Sequence, residues 1–309
     1  MILRDPLCQP RWPFTETGGF RKGFGMRFCV NMEASAGRRE WVRRCREAEE
    51  IGMDVIATPD HLGITAPLLP LVLAAEVTER ARLTTLTLNA AFYNPTLLAR
   101  DVVSVDVCTD GRFELGLGTG YAKPEFDKAG IPFERAGARV DHLVRTLDEL
   151  ERFYADPEEP NPVQQPGPPV LIGGEGDRML RLAARRADII AFPGAGIDQN
   201  GLHLREPEEL LERTRFVQKA LDGRDAELNL LVQHVEVTND SAGAYERLAE
   251  RFRGAYSAEQ LRRYPIFLIG SAEHIAEELR AHGEHYGITY FSVSHTSMIE
   301  LAKVLPRLR

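Results

Sequence analysis

The sequence predicts an α/β fold, a (β/α)8 barrel with loops and helical insertions at the carboxyl ends of its strands. Eight short apolar segments alternate with segments whose apolar residues recur every three or four positions, as strands and helices alternate in such a barrel. The chain has 309 residues, and barrels of this class run to about 250 residues plus insertions. We expect residues 26–309 to form a single domain.

The predicted strands are short and apolar, as expected where both faces of a strand are buried. They span residues 27–32, 54–58, 83–89, 112–117, 170–172, 188–192, 228–237 and 288–293. The predicted helices each carry an apolar stripe, and the first of them ends at Gly52. They span residues 38–52, 67–81, 97–108, 139–154, 178–186, 207–222, 242–253, 257–263, 272–286 and 298–308.

A doubly wound open sheet is the alternative fold, because Gly116, Gly118 and Gly120 lie at the end of the fourth predicted strand. Their spacing differs from the G-x-G-x-x-G of dinucleotide-binding turns. Lys123 and Pro124 interrupt the helix that should follow, and no acidic residue stands at the end of a second strand. The barrel is therefore the preferred prediction.

Charge and cysteine usage exclude several classes of function. The formal net charge is -8 with no basic run, which argues against general nucleic-acid binding. Four scattered cysteines without zinc-ligand spacing are interpreted as reduced thiols of a cytoplasmic protein: Cys8, Cys29, Cys45 and Cys108. No apolar run approaches the roughly 18 residues of a membrane span, and no signal peptide is recognisable.

Residues 1–25 differ from the rest of the chain, because they are rich in proline, glycine, arginine and aromatic residues and show no period. We expect them to be an N-terminal extension, either an ordered arm or a disordered segment. The other interpretation is a mis-assigned start, with translation beginning at Met26, which opens directly onto the first predicted strand.

A strand, a glycine turn, a helix and a further strand follow one another between residues 169 and 192. Gly173, Gly174 and Gly176 surround Glu175 just before the helix. Glycine lets the backbone approach a ligand closely, and the unpaired N–H groups at a helix N-terminus favour an anion. We interpret the turn as a phosphate or carboxylate site. The alternative is a plain strand-to-helix turn in which the glycines serve geometry alone.

The active site of a (β/α)8 barrel lies at the carboxyl ends of its strands. The residues predicted there are mostly glycine and neutral polar groups with aromatic neighbours: Asp60, His61, Asn89, Gly118, Thr119, Gly120 and Tyr121. His61 is the candidate proton-handling group, because histidine titrates near neutrality, and Asp60 could orient it. Capping or loop-fixing roles are the alternative for both.

The remaining histidines are assigned less specific roles. We expect His234 to be a core histidine of the seventh strand, and we leave His295 undecided. Solvent-exposed positions on helices or loops are expected for the others: His142, His203, His274, His282 and His285. No GxSxG, HxH or HExxH pattern occurs, so neither a serine triad nor a metal site is predicted.

Taken together, these segments resemble the luciferase-like flavin and deazaflavin oxidoreductases. The matching segments are residues 58–61, 94–95, 97–100, 110–120, 172–174 and 183–188, and the resemblance extends from residue 26 nearly to the end of the chain. The pair Asp60–His61 is more similar to the branch that uses coenzyme F420, a deazaflavin, than to the branch that uses FMN.

The resemblance implies positions for the cofactor. His61, with Asp60, would face the reactive ring, and Leu86 with Thr87 would form a bulge behind it, often through a cis peptide bond. Asn89 at the end of strand three is a further expected contact. The resemblance also implies contacts along the ring and ribityl chain from Gly118, Thr119, Gly120 and Tyr121, and around the phosphate from Gly173, Gly174, Glu175 and Gly176.

One departure from the family pattern bears on the substrate. In the sugar-phosphate dehydrogenase branch a glutamate follows the strand-four glycines and a tryptophan follows the Asp-His pair, whereas this sequence has Tyr121 and Thr65 in those places. A tyrosine with an ordinary pKa near 10 is a poor replacement for a carboxylic acid. Oxidation of glucose 6-phosphate is therefore not expected.

Three functions remain. The preferred one is a coenzyme F420-dependent oxidoreductase that transfers a hydride between the deazaflavin and a small organic substrate. An FMN-dependent monooxygenase that uses dioxygen is the first alternative, and a non-catalytic flavin- or deazaflavin-binding protein is the second. The resemblance favours a homodimer. Residues 122–139 and 194–205, where substrate specificity is expected, carry no recognisable motif.

Overall fold

The computed structural model describes residues 25–198 and 201–309. Its centre is a closed barrel of eight parallel strands surrounded by helices, which confirms the predicted (β/α)8 fold. The predicted extension at residues 1–25 lies outside the described residues, apart from Gly25. The strands are β1 (Arg27–Asn31), β2 (Val55–Thr58), β3 (Arg82–Thr85), β4 (Leu88–Asn89), β5 (Phe113–Gly118), β6 (Val170–Gly173), β7 (Ile189–Phe192), β8 (Ala195–Asp198), β9 (Gly201–Leu204), β10 (Glu227–Leu231), β11 (His234–Val237), β12 (Phe267–Gly270) and β13 (Ile288–Ser294).

Helices follow the barrel strands and cover the outside of the barrel. Single turns of tighter helix at Ala90–Phe92 and Leu305–Arg307 accompany them. The helices are α1 (Arg38–Ile51), α2 (Leu68–Val77), α3 (Pro95–Cys108), α4 (Lys123–Ala129), α5 (Ala136–Ala155), α6 (Asp177–Arg186), α7 (Pro207–Leu221), α8 (Ser241–Arg251), α9 (Ala258–Leu261), α10 (Ala272–Tyr286) and α11 (His295–Leu301).

The barrel strands pair in the order β1, β2, β3, β5, β6, β7, β10 and β13, and β13 pairs with β1 to close the ring. All of these pairings are parallel; Cys29 of β1, for example, lies opposite Ser292 of β13 and Val55 of β2. Because the strands are parallel, their carboxyl ends meet at one rim of the barrel. The doubly wound alternative is thereby excluded.

The third barrel strand contains a bulge. Thr84 lies opposite Glu114, and Leu88 lies opposite Leu117, so four steps along β3 and β4 match three steps along β5. One extra residue is accommodated in this way, which bends the strand and re-aims the side chains beside it. The predicted single strand at residues 83–89 is therefore divided into β3 and β4.

Two apolar layers build the core. Side chains on one face of the strands pack against the helices, among them Phe28, Val30 and Ile56. Side chains on the other face fill the barrel itself, including Cys29, Val55 and Leu171 with Tyr290 and the partly buried Leu86. This alternation along each strand is the two-residue periodicity of β structure.

Charged side chains occupy the barrel close to the amino ends of the strands. The fully buried carboxylate of Glu114 pairs with Arg27 at 2.6 Å and with Arg82 at 2.5 Å, and Arg27 also pairs with Glu227 at 2.5 Å. Burial raises the pKa of Glu227 to about 6, with Arg27 acting against the shift. Burial also acts to raise the pKa of Glu114, but Arg27 and Arg82 outweigh it and lower that pKa.

The structure corrects the predicted seventh strand. The segment 228–237 is two strands, because β10 belongs to the barrel whereas β11 leaves it and pairs with β12 in a separate two-stranded sheet. His234 therefore lies outside the barrel core, half-buried, with Nε2 at 3.3 Å from Glu236. The segment 194–205, treated as a loop, contains the hairpin of β8 and β9.

The structure corrects the interpretation that Lys123 and Pro124 interrupt a helix after the fourth predicted strand. Both residues belong to a short helix, and Pro124 does not break it. Pro124 lies in the first turn of the short helix α4, where the missing N–H has no intrahelical partner to lose. No helix in the described ranges combines the length and apolar character that crossing a membrane requires.

Candidate active site

The bulge between β3 and β4 lies at the rim where the carboxyl ends of the strands meet. Its Leu86–Thr87 peptide bond is cis, as the resemblance implied. Both side chains are half-buried, and Leu86 packs against the apolar filling of the barrel. The bulge therefore gives the rim an apolar floor at this point.

Glycines on the neighbouring strands make room for the bulge. A Cβ atom on Gly116 would overlap the backbone oxygen of Thr85. A Cβ on Gly118 would lie 2.6 Å from Oγ1 of Thr87, and one on Gly173 would lie 3.3 Å from Cγ2 of Thr87. The structure thus assigns these glycines a packing role against the bulge, in addition to the ligand contacts expected for Gly118 and Gly173.

The carboxylate of Asp60 connects the loop after β2 to the segment after β4. Its Oδ2 accepts hydrogen bonds from the backbone N–H of Asn89 at 3.0 Å and from the hydroxyl of Tyr93 at 3.2 Å. Burial raises the pKa of Asp60, while these two hydrogen bonds act to lower it. These contacts agree with the loop-fixing alternative for Asp60.

The side chain of Asn89 is enclosed by the turn that follows β5. Its Oδ1 accepts a hydrogen bond from the backbone N–H of Ala91 at 3.3 Å. Gly120 has a φ of 69°, and a Cβ atom there would overlap the Asn89 amide. Gly120 therefore permits both the left-handed backbone and this close approach.

The side chain of His61 is 39% exposed, and its Nδ1 lies 2.8 Å from Oε1 of Glu125 on α4. The ring of Tyr121 meets the imidazole edge-on, with the ring centroids 5.9 Å apart. Burial, reinforced by the negative charge of Glu125, raises the pKa of Tyr121, so this phenol is an even poorer proton donor than an ordinary tyrosine. Thr119, between the glycines, is half-buried.

The glycine turn after β6 leads into α6 as predicted. The N–H of Gly174 donates to the carbonyl of Ala191 at 3.1 Å, and a Cβ on Gly174 would lie 2.6 Å from Cγ of Met179. Gly176, in contrast, is exposed and has open space around the position of a Cβ atom. No side chain caps the N-terminus of α6, so Gly176 is the position of this turn that an anion can approach.

Glu175 is not a simple contact for an anion, because its carboxylate is paired with Arg205. Its Oε2 accepts a hydrogen bond from Nε of Arg205 at 2.7 Å. Burial raises the pKa of Glu175, and Arg205 partly offsets that shift. Arg205 thus places a positive charge beside the turn and balances the carboxylate within it.

Sequence reasoning missed three residues at this rim. Glu125 lies in a segment without a motif, and Tyr93 is one of the aromatic neighbours of the rim to which the sequence analysis assigns no role. His142 was expected to be exposed, but its Nε2 donates to the backbone oxygens of Ala90 and Tyr93 at 3.0 and 3.2 Å. Each of these contacts joins residues far apart in sequence, so a local pattern could not reveal it.

The structure corrects one further histidine prediction and describes the surroundings of His295. His282 was expected to be exposed but is buried, with Nε2 at 3.0 Å from the backbone oxygen of Pro265. His295, left undecided, begins α11, and burial lowers its pKa. Among residues 25–198 and 201–309 no group of three or more histidine, cysteine, aspartate or glutamate side chains could hold a metal ion.

The residues at the rim are of the kinds that would contact a planar group with an anionic tail. The half-buried Leu86 and Thr87 provide the floor, Asp60 is hydrogen-bonded to Asn89 just after the bulge, and open space lies around Gly176 at the uncapped end of α6. The fold and these residues together define a (β/α)8 barrel whose candidate site lies at the carboxyl ends of β2 to β6.

The chain belongs to the luciferase-like monooxygenase family, whose model matches residues 26–290. It is similar to the oxygenase component of the flavin-dependent trigonelline monooxygenase of Acinetobacter baylyi, with 25% identity over 187 residues, or 55% of this chain and 50% of that protein. It is also similar to the F420-dependent glucose-6-phosphate dehydrogenase of Gordonia bronchialis, with 31% identity over 185 residues, or 52% of this chain and 54% of that protein.

The chain spans about half the length of these curated relatives. Among solved structures, the coenzyme F420-dependent tetrahydromethanopterin reductase from Methanopyrus kandleri matches with a TM-score of 0.70 and 15% identity, over 93% of this chain and 100% of that chain. At this identity the likeness shows the fold. Homologues of the chain therefore include F420-dependent dehydrogenases and flavin-dependent monooxygenases.

Proposed function

We propose that the chain is a coenzyme F420-dependent oxidoreductase acting on a small organic substrate. The observation that carries the proposal is the hydrogen bond from Asn89 to Asp60, which ties the loop carrying His61 to the strand end that follows the Leu86–Thr87 bulge. The similarity of the chain to an F420-dependent glucose-6-phosphate dehydrogenase supports the choice of cofactor. Because the family resemblance implies a glutamate where this chain has Tyr121, we propose a substrate other than a sugar phosphate.

In such an enzyme, different residues of the rim would bind the cofactor, anchor the loop that carries His61 and hold the proton. Gly176 and the N-terminus of α6 would hold the phosphate of the cofactor, and Leu86 would support its ring. Asp60 fixes the loop that carries His61, and His61 would hold the proton that accompanies hydride transfer. A bound deazaflavin would supply the hydride-accepting or hydride-donating carbon.

The second candidate is an FMN-dependent monooxygenase. It is favoured by the similarity to the oxygenase component of the trigonelline monooxygenase. The glycine turn would serve the phosphate of FMN as well as that of F420, so the turn does not separate the two. Non-catalytic binding of either cofactor is the third possibility, recognised by cofactor binding without transfer to any acceptor.

The deciding experiment is a pair of binding titrations of the purified protein, one with oxidised F420 and one with FMN, under identical conditions. We expect micromolar or tighter binding of F420 and weaker binding of FMN. The reverse preference would replace the proposal with the monooxygenase. Binding of neither cofactor would leave the glycine turn with a structural role and contradict both candidates.

We also propose that residues 26–309 form one domain and that two copies associate. Two exposed leucines on neighbouring helices support the association of two copies. Leu69 near the start of α2 is 76% exposed, and Leu97 near the start of α3 is 53% exposed. Light scattering coupled to size-exclusion chromatography should give a dimer mass, and a Leu69→Glu, Leu97→Glu double variant should give a monomer. A monomeric wild-type protein would contradict the association.

A further inference from the structure

A carboxylate reaches His61 from outside the matching motif segments at residues 58–61 and 110–120. Glu125 lies in the first turn of α4, and its Oε1 is 2.8 Å from Nδ1 of His61. The two residues are 64 positions apart in the chain. Glu125 thus brings a carboxyl group to the rim from α4, the helix that follows β5.

The geometry determines which nitrogen of His61 carries the proton. A carboxylate only accepts hydrogen bonds, so a contact of 2.8 Å requires that Nδ1 carry the hydrogen and donate it. In a neutral imidazole the other nitrogen, Nε2, is then an acceptor. Nε2 makes no hydrogen bond to another residue within the described part of the chain.

The surroundings of the pair restrict its movement without burying it fully. The Glu125 side chain is 20% exposed and that of His61 is 39% exposed. The Tyr121 ring lies edge-on to the imidazole, and the neighbouring Asp60 is held by Asn89 and Tyr93. A partly buried, charge-assisted hydrogen bond of this kind is stronger and more directional than an exposed ion pair.

We propose that Glu125 is the positioning residue of His61, holding the imidazole in its Nδ1–H tautomer so that Nε2 is the atom that accepts and returns a proton during turnover. When Nε2 takes up a proton, the ring becomes an imidazolium whose positive charge lies against the Glu125 carboxylate. The tautomer is a property of the protein alone, whereas its use in turnover rests on the proposed function.

The tautomer is tested directly by nitrogen-15 NMR of the imidazole in the protein without cofactor, with His61→Gln used to assign its signals. At a pH where His61 is neutral, the wild-type protein should show a pyrrole-type Nδ1 and a pyridine-type Nε2. Glu125→Ala and Glu125→Gln should each increase the Nε2–H population, because neither offers an acceptor-only partner to Nδ1.

Asp127→Asn is the matched control. Asp127 lies on the same helix α4 but pairs with the exposed Lys123 at 2.7 Å, so its substitution should leave the His61 tautomer unchanged. A wild-type Nε2–H tautomer, or a tautomer unaltered in both Glu125 variants, would overturn the proposal. The wild-type spectrum tests it even if a Glu125 variant fails to fold.

The use of the tautomer is tested by steady-state kinetics with the cofactor identified by titration. Glu125→Gln should lower kcat by at least roughly tenfold, with the dissociation constant for the cofactor unchanged, since Glu125 acts through His61. An unchanged kcat in a variant that has lost the Nδ1–H tautomer would overturn the role in turnover. Failure of the wild-type protein to bind either cofactor would instead contradict the proposed function, while the NMR result would still decide the tautomer.

Discussion

The carboxylate of Asp60 accepts a hydrogen bond from the backbone N–H of Asn89 at 3.0 Å and thereby ties the end of β2 to the end of β4. The same oxygen also accepts a hydrogen bond from the Tyr93 hydroxyl at 3.2 Å. The loop that carries His61 is thus fixed to the far side of the bulge. One carboxylate therefore determines how two strand ends and the proposed proton-handling residue are arranged.

The first prediction concerns Tyr93→Phe. Removing the hydroxyl should raise the pKa of Asp60 further, because that hydrogen bond acts to lower it, and should cost about 1 kcal/mol of unfolding free energy at neutral pH. The hydrogen bond favours the charged carboxylate, so this loss should be present above the pKa of Asp60 and shrink as the pH falls through it.

Carbon-13 NMR titration of the Asp60 carboxyl and urea unfolding at several pH values measure both effects. Tyr286→Phe is the control, because its hydroxyl makes no hydrogen bond within the described residues. An unchanged Asp60 pKa in Tyr93→Phe would show that the 3.2 Å contact is absent in solution.

The second prediction separates two glycines of β5. Gly116→Ala should destabilise the protein by about 3 kcal/mol or more, because the new methyl group overlaps the backbone oxygen of Thr85, which cannot move without the strand. Gly118→Ala should cost less, about 1–2 kcal/mol, because its neighbour is the side-chain Oγ1 of Thr87. Chemical denaturation of both variants gives the comparison, and equal losses would contradict the difference in neighbours.

The third prediction separates two glycines of the turn before α6. Gly176→Val should weaken cofactor binding by roughly tenfold or more with little change in stability, because its side chain enters the open space at the N-terminus of α6. Gly174→Val should lower the stability itself, because its Cβ meets Met179.

Isothermal titration and thermal unfolding of the same samples distinguish these effects. Gly283→Ala in α10 is the control, because its Cβ would make only ordinary contacts. Full affinity of Gly176→Val for the cofactor would mean that the turn does not hold the phosphate.

The fourth prediction is a pH dependence of stability centred on Glu227. Its folded-state pKa of about 6 lies above the ordinary value of roughly 4.3 for an unfolded chain. The protonated form is favoured on folding, so this contribution is fully present below about pH 4.3 and is lost as the pH rises through 6. The difference amounts to about 2 kcal/mol.

Glu227→Gln should therefore remove a fall in unfolding free energy between about pH 4.5 and pH 7 that the wild-type protein shows. Urea unfolding across this range measures it. The exposed Glu277→Gln serves as the control. Parallel curves for the wild-type protein and Glu227→Gln would contradict a raised pKa at this position.

Several features of the rim follow from local sequence. The alternation of apolar segments and amphipathic helices predicted the barrel, and the glycines at 173–176 predicted the turn before α6. The bulge at Leu86–Thr87 was implied by the resemblance and is found with a cis bond. Each of these features depends on residues that are close together in the chain, so a short pattern carries it.

Other features could not be read from the sequence. Six of the ten residues in the segment 228–237 are apolar, which predicts one strand, yet β11 leaves the barrel to pair with β12. The buried pairs of Arg27 with Glu114 and Glu227 are also invisible to a periodicity argument, because they join residues 87 and 200 positions apart.

The sequence by itself determined the fold class and the strand ends that meet at the rim, because hydrophobic periodicity and turn residues are local, and its short motifs carried the family resemblance. Only the tertiary structure decided that Glu125 meets His61, that Tyr93 holds Asp60 and that Gly118 and Gly173 pack on Thr87. These contacts arise when the barrel closes and brings parallel strand ends together, so their partners depend on strand register and on the bulge rather than on neighbouring residues.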